Sequence, residues 1–225
     1  MRGDARLLGL AGSLEAGAAL HRPAALGLHA SAVLIGGYRW VEQRLFEVVG
    51  RWVADELLPD ARVFFDVQSQ QHAWHAELFE ARLPVLDGVD LDLLTVVPSA
   101  GVGRLFETLG TGVPDTAAPE VSALLRLVGL GRVVLPRLVA GYTLHLRRCN
   151  PTADASAMRA VRLVRRDAFE AWQTAELMVQ ILATTPDALA AATERQHSLE
   201  MLVAEGPGLV PWPASSSGMD HHPPA

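Results

Sequence analysis

Two segments far apart in the chain carry polar side chains able to bind metals within an apolar helical pattern. The first reads QQHAWHAEL and places His72 and His75 three positions apart. The second reads DAFEAWQTAEL and begins with Asp167 and Glu170 at the same spacing. Side chains three residues apart point in similar directions from a helix. We therefore predict two helices that turn polar groups toward a shared interior, as in a helical bundle.

Apolar residues recur at helical spacing over five long stretches of the chain. They predict helices over residues 31–55, 60–83, 119–148, 154–183 and 185–206. In the third of these, Gly129, Gly131 and Pro136 predict a bend. A proline inside a helix removes one backbone hydrogen bond and crowds the preceding turn.

The second and third predicted helices are joined by a long connection, residues 84–118, which is rich in proline and glycine. It contains one short predicted helix, at 102–109. Connections this long are uncommon within compact domains, and one use for them is to carry the chain from one end of a bundle to the other. The predicted fold is all-α: a four-helix bundle with a crossover between helices 2 and 3, plus an extra C-terminal helix.

The length of 225 residues fits one well-packed domain. We place this domain at residues 31–206, after a poorly ordered extension (1–30) that is rich in Gly, Ala and Leu. Residues 207–225, with their serines and prolines, are expected to form a disordered tail.

Charge and cysteine content argue against several classes of protein. The net charge is −6, with acids and arginines interleaved, which disfavours a nucleic-acid-binding surface. No apolar run reaches the roughly 18 residues that would indicate a membrane span. A single cysteine, Cys149, excludes an internal disulfide and any multi-cysteine metal site, and it fits a reducing cytoplasm. A homodimer formed through the third or fifth helix is a further possibility.

Seven polar residues lie on or beside the apolar stripes of the four bundle helices. They are Glu42, His72, His75, Tyr142, His145, Asp167 and Glu170. A buried carboxylate is costly unless it is paired, hydrogen-bonded or bound to a metal. Imidazoles combined with carboxylates are typical ligands of iron, manganese and zinc.

In helix order, crossover and placement of polar residues, the chain resembles the ferritin-like superfamily. Members with a dinuclear site place one Glu on each of two helices and a Glu-x-x-His pair on each of the other two. Glu42 matches the first-helix Glu, and His75 matches the His of the second-helix pair. His72 stands where that pair has its Glu, and Asp167-x-x-Glu170 stands in place of the fourth-helix pair.

The third helix offers Tyr142 or His145 where the superfamily has a Glu. The resemblance extends to actinobacterial helical-bundle proteins whose second helix is rich in Trp, His and Glu. The resemblance to these proteins implies a fold and no activity, whereas that to the dinuclear members implies a site for iron or manganese, with one or two ions. An open coordination position on such an ion activates oxygen or a peroxide, as in ferritin-like oxidoreductases. The ligands implied in this chain are Glu42, His72, His75, His145, Asp167 and Glu170.

The same residues also allow a metal-free interpretation. Buried acids and imidazoles can form a hydrogen-bonded network between helices, with arginines neutralising the acids. In that case the chain is a helical interaction or regulatory module. The sequence leaves both alternatives open, together with the identity of any substrate.

Overall fold

A computed structural model describes residues 25–85, 87–114, 117–204, 206 and 208–213. Within these ranges the regular structure is helical and no strand occurs, which confirms the predicted all-α class. The helices are α1 (Leu28–Asp55), α2 (Pro59–Glu80), α3 (Ala100–Thr111), α4 (Pro119–Leu127), α5 (Leu135–Arg148), α6 (Ala155–Leu182) and α7 (Pro186–Ala204). A 3-10 helix (Leu91–Leu94) precedes α3, and a π-helix (Val128–Val134) joins α4 to α5.

Helices α1 and α2 form an antiparallel pair and pack together along most of their length. Near the turn between them, the rings of Trp52 and Phe65 lie 5.2 Å apart, centroid to centroid. At the far end, Arg39 Nη2 lies 3.0 Å from Glu80 Oε2. Pro59 stands in the first turn of α2, where a proline costs no helical hydrogen bond.

The predicted third helix is a continuous helical segment made of α4, the π-helix and α5. The N–H of Leu135 bonds to the carbonyl of Leu130, which is the five-residue spacing of a π-helix. Pro136 follows immediately and has no N–H of its own to donate. The irregularity thus lies where the sequence predicted a bend.

Helix α6 lies antiparallel to this segment and also contacts α2. Gly131 lies so close to α6 that a Cβ on it would be 2.6 Å from the Cβ of Ala175. Beside this contact, Arg132 forms two hydrogen bonds with Glu176, at 2.8 and 2.9 Å. The absence of a side chain at Gly131 therefore sets the close approach of the two helices.

The connection between α2 and α3 crosses directly over α1. A Cβ on Gly36 would be 1.9 Å from the carbonyl oxygen of Leu94, so the crossing needs glycine there. Arg39 stabilises this contact between the connection and α1, because its guanidinium donates a hydrogen bond of 2.7 Å to Thr95 Oγ1 and pairs with Asp92 at 3.4 Å. Ser99 then caps α3 by accepting the N–H of Val102.

Both ends of the predicted domain differ from the prediction. Helix α1 begins at Leu28, inside the predicted N-terminal extension, while residues 1–24 lie outside the described residues. Residues 208–213 of the predicted tail lie against the helices, where Leu209 is buried and Trp212 packs on the core. The rest of that tail, 214–225, is not among the described residues.

Most of the buried apolar residues form one hydrophobic core, with Tyr142, Phe65 and Phe79 among its largest fully buried side chains. Burial of each such side chain contributes about 1.5–3 kcal/mol before conformational entropy is counted. Among the described residues, no helix combines the length and apolar character needed to cross a bilayer.

Candidate metal centre

Four helices bring polar side chains to one point inside this core. Glu42 lies in the middle of α1, and His72 and His75 come from the facing stretch of α2. Tyr142 comes from α5 and Asp167 from α6. Glu42 is completely buried, and each of the two histidines is only 1 % exposed. The surrounding packing therefore holds a carboxylate and two imidazoles away from water.

The two imidazoles converge on one oxygen of the Glu42 carboxylate. His72 Nδ1 lies 2.5 Å from Glu42 Oε2, and His75 Nδ1 lies 3.4 Å from the same oxygen. The other oxygen, Oε1, accepts a hydrogen bond of 2.5 Å from the Tyr142 hydroxyl. Tyr142 thus orients the carboxylate so that Oε2 faces the histidines.

Asp167 contacts the far side of His75. Its Oδ2 lies 3.1 Å from His75 Nε2, and the aspartate side chain is 22 % exposed. A carboxylate acceptor at this position favours the proton on Nε2. The lone pair of His75 Nδ1 then faces Glu42, and this buried nitrogen has no hydrogen-bond partner among the described residues. The buried His72 Nε2 also has none there.

The electrostatics of the cluster favour a positive charge between these groups. Burial raises the pKa of Glu42, but His72 and His75 outweigh that effect and hold the pKa below its usual value. Burial lowers the pKa of His75, but Glu42 and then Asp167 raise it above 6.5. For Tyr142, burial and the adjacent Glu42 charge both raise the pKa, so the phenol stays protonated.

The ligand atoms of Glu42, His72 and His75 all lie within 4.8 Å of one another. Metal–ligand distances of about 2.0–2.2 Å to N and O place the ligand atoms of one ion roughly 3–4 Å apart. Among the described residues, this is the one group of three or more His, Cys, Asp or Glu side chains close enough to hold an ion.

The six residues predicted as ligands therefore divide into three groups. Glu42, His72 and His75 form the cluster itself, and Asp167 supports it from behind His75. His145 and Glu170 lie outside it.

Glu170 is exposed on α6 and pairs with Arg166, with 2.9 Å between Oε1 and Nε. His145 is buried, and its Nδ1 lies 3.3 Å from the hydroxyl of Tyr38. Neither residue belongs to the group whose ligand atoms lie within 4.8 Å of one another.

Two aromatic residues of this region, one beside Tyr142 and one beside His145, were not predicted from the sequence. The ring of Tyr38 packs edge-on against Tyr142, and Trp212 packs against His145, with centroids 5.0 and 5.6 Å apart. Tyr38 precedes Glu42 by one helical turn, so helical spacing could have predicted that the two lie on the same face. For Trp212, in the predicted tail, no such signal exists.

A surface groove between α2 and α6 reaches Asp167, the residue behind His75. It has a volume of about 410 Å³ and is lined by apolar residues that include Val63, Val67 and Met178. Gln68, Gln71 and Asp167 supply its polar lining, together with other groups. Asp167, which also bonds to His75, is therefore part of the groove lining, whereas Glu42, His72 and His75 are not.

Comparison with protein families, with curated proteins and with solved structures found no match for this chain.

Proposed function

We propose that the chain is a ferritin-like helical-bundle metalloprotein, in which Glu42, His72 and His75 bind one divalent transition-metal ion that supports oxidoreductase chemistry. One observation carries the proposal: His75 Nδ1 and Glu42 Oε2 face each other across 3.4 Å in a buried site. With the proton on Nε2, two lone pairs oppose each other there. Such a pair is stable only with a cation between its members, either a proton or a metal ion.

The ligand types support a redox metal with open coordination positions. Two imidazoles and one carboxylate are the ligand set of mononuclear non-haem iron sites, and the same set also binds catalytic zinc. Three protein ligands leave positions free for water, oxygen or peroxide. The Asp167–His75 and Tyr142–Glu42 hydrogen bonds are of the kind that orients the ligands in known metal sites.

The number of carboxylates supports one ion rather than two. Among the described residues the cluster contains a single acid, Glu42, and Asp167 faces away from it behind His75. Dinuclear carboxylate sites take a carboxylate from each of the four helices. The antiparallel pairs α1–α2 and α5–α6, joined through a long connection, support the ferritin-like assignment.

A metal-free interaction or regulatory module is the second candidate. It is favoured by the hydrogen bonds that Glu42 already makes, because His72 and Tyr142 satisfy both of its oxygens without an ion. In that function His75 carries a proton, and the cluster serves only to fix the packing of the helices.

Metal content distinguishes the two functions. We expect untagged protein from cells supplied with iron and manganese to hold close to one equivalent of metal by mass spectrometry. The His75→Ala variant should lose this metal, whereas His197→Ala, a change at an exposed histidine of α7, should retain it. Folded protein that takes up none of Fe²⁺, Mn²⁺ or Zn²⁺ supports the module. Protein that binds only zinc keeps the site but excludes redox chemistry.

A further inference from the structure

The outer face of α6, which points away from the bundle, is positively charged over its N-terminal half, although the chain as a whole is acidic. Six of the 19 basic residues lie within residues 147–166, together with a single acid, Asp154. Three of these arginines, Arg159, Arg162 and Arg166, recur at helical spacing along α6, and all three are exposed. Exposed basic residues gathered on one face create a positive potential that attracts anions.

The acids of α6 do not neutralise this face. Each of the three acids of the helix contacts a basic side chain of its own. The pairs are Asp167–His75, Glu170–Arg166 and Glu176–Arg132. Arg159 and Arg162 form no ion pair with the acids in the described part of the chain. Their charges are therefore available to an anion from outside the protein.

Large apolar side chains continue the same face toward the C-terminal end of α6. Leu163, Phe169, Leu177 and Ile181 are between 41 % and 65 % exposed. Beside Phe169 and Leu177 lies a groove of about 590 Å³ that extends the apolar surface, with Trp172 in its lining. Arginines together with exposed Leu, Phe and Ile on one helix face are typical of helices that lie in the interface of a bilayer.

We propose that the outer face of α6 binds the surface of a membrane that contains anionic phospholipids, with the helix lying in the plane of the headgroups. Arg159 and Arg162 donate hydrogen bonds to lipid phosphates. Leu177 and Ile181 enter the boundary between the headgroups and the acyl chains. This inference is independent of the metal centre, because none of these residues contacts the cluster.

A bilayer fits this face better than a nucleic acid does. Contacts to the phosphates of nucleic acids come from basic and polar side chains, whereas exposed apolar side chains occupy much of this face. A second copy of the chain also fits less well. In a symmetric pair of antiparallel α6 helices, the arginines of one copy would face the apolar half of the other. Those charges would lose water without gaining an acid.

Co-sedimentation with vesicles tests the proposal. The full chain is mixed with vesicles of phosphatidylglycerol and phosphatidylcholine in equal parts, and with vesicles of phosphatidylcholine alone. We expect binding to the anionic vesicles that weakens as salt is added, and far weaker binding to the neutral ones. A basic residue near an anionic surface raises affinity about fivefold, so Arg159→Gln combined with Arg162→Gln should lower it roughly 25-fold.

Arg51→Gln combined with Arg62→Gln is the matched control. It removes the same charge from exposed positions on α1 and α2. Its affinity for the anionic vesicles should equal that of the unaltered protein. Equal losses in the two double variants would mean that net charge alone determines binding, and would overturn the assignment to α6.

Leu177→Ser combined with Ile181→Ser distinguishes a bilayer from other partners. We expect its affinity for anionic vesicles to fall at least about tenfold, because two apolar side chains no longer enter the interface. Unchanged affinity in this variant, or equally tight binding of duplex DNA by the unaltered protein, would assign the arginines to a polyanion and overturn the proposal. Absence of vesicle binding overturns it as well. Circular dichroism should be the same for all variants, since every altered residue is exposed.

Discussion

Single residues in the cluster are held by specific side-chain partners. Glu42 receives a hydroxyl on one oxygen and imidazoles on the other, and Asp167 fixes the proton of His75 from the opposite side. Removing a partner from a buried charge leaves that charge uncompensated, which costs far more than a surface change. The properties of the cluster therefore depend on individual atoms.

Asp167 is expected to control metal affinity without binding the ion. In Asp167→Asn the amide no longer attracts the Nε2 proton as a carboxylate does, so His75 presents Nδ1 less often. Loss of such an outer partner lowers metal affinity about 10–100-fold. Glu170→Gln, one turn further along α6 and exposed, should leave affinity unchanged. Competition against a coloured chelator measures the metal affinity of each variant. Equal losses of affinity in Asp167→Asn and Glu170→Gln would contradict the role assigned to Asp167.

The pH dependence of stability is expected to differ between metal-free and metal-loaded protein. Because the pKa of His75 is raised above 6.5 in the fold, its protonation stabilises the metal-free protein below pH 6.5. That contribution is lost as pH rises through the folded pKa. A bound metal replaces the proton, so metal affinity rises over the same interval.

Urea unfolding at pH 6, 7 and 8, with chelator and with Mn²⁺, measures this difference. The free energy of unfolding should fall with pH only in chelator. In a His75→Gln variant the free energy of unfolding should no longer fall with pH. If it still falls, a titrating group other than His75 causes the pH dependence.

At the scale of the elements, close contacts between backbones position the helices that carry the cluster. The crossing segment rests on α1 at Gly36, and α6 approaches the π-helix at Gly131. The π-helix adds a residue to one turn just before the helix that carries Tyr142. This changes the direction in which the following side chains point, so it sets which face of α5 meets Glu42.

Two glycine substitutions test the first of these contacts. Gly36→Ala forces a Cβ against the Leu94 carbonyl, and we expect it to destabilise the protein by about 1–3 kcal/mol. Gly141→Ala, within α5, meets nothing within 4 Å and should stabilise it by about 0.5–1 kcal/mol. Chemical denaturation gives both values, and a stable Gly36→Ala variant would show that the crossing segment can move away.

At the scale of the whole molecule, the cluster ties four helices together. Metal binding at that point should raise the stability of the entire fold, since an ion held by α1 and α2 binds the folded chain and not the unfolded one.

Thermal unfolding tests this linkage. A free metal concentration of 100 times Kd stabilises by about 2.7 kcal/mol. For a chain of this size that corresponds to a rise in Tm of roughly 5–10 °C. Glu42→Gln keeps the side-chain shape but loses the charge, and its Tm should not respond to metal. An equal rise in Glu42→Gln would mean that the ion binds elsewhere.

The sequence by itself determined the helices and a set of candidate polar residues that includes the inner cluster. Helical periodicity is a local property, so it located the long helices, and Gly129, Gly131 and Pro136 marked the segment where the π-helix lies. It also singled out Glu42, His72 and His75, because charged or polar groups within an apolar stripe must be paired in the fold.

Only the tertiary structure decided which polar residues meet. Asp167 and Glu170 are both acidic and lie three positions apart on one helix. Residues at that spacing differ in direction by about 60° around the helix axis. Because of that angle, Asp167 reaches His75, whereas Glu170 points into solvent and pairs with Arg166. The same holds for Tyr38 and Trp212, whose contacts depend on how the helices and residues 208–213 pack against one another. Periodicity defines a face, whereas the rotation and offset of each helix come from packing against its neighbours.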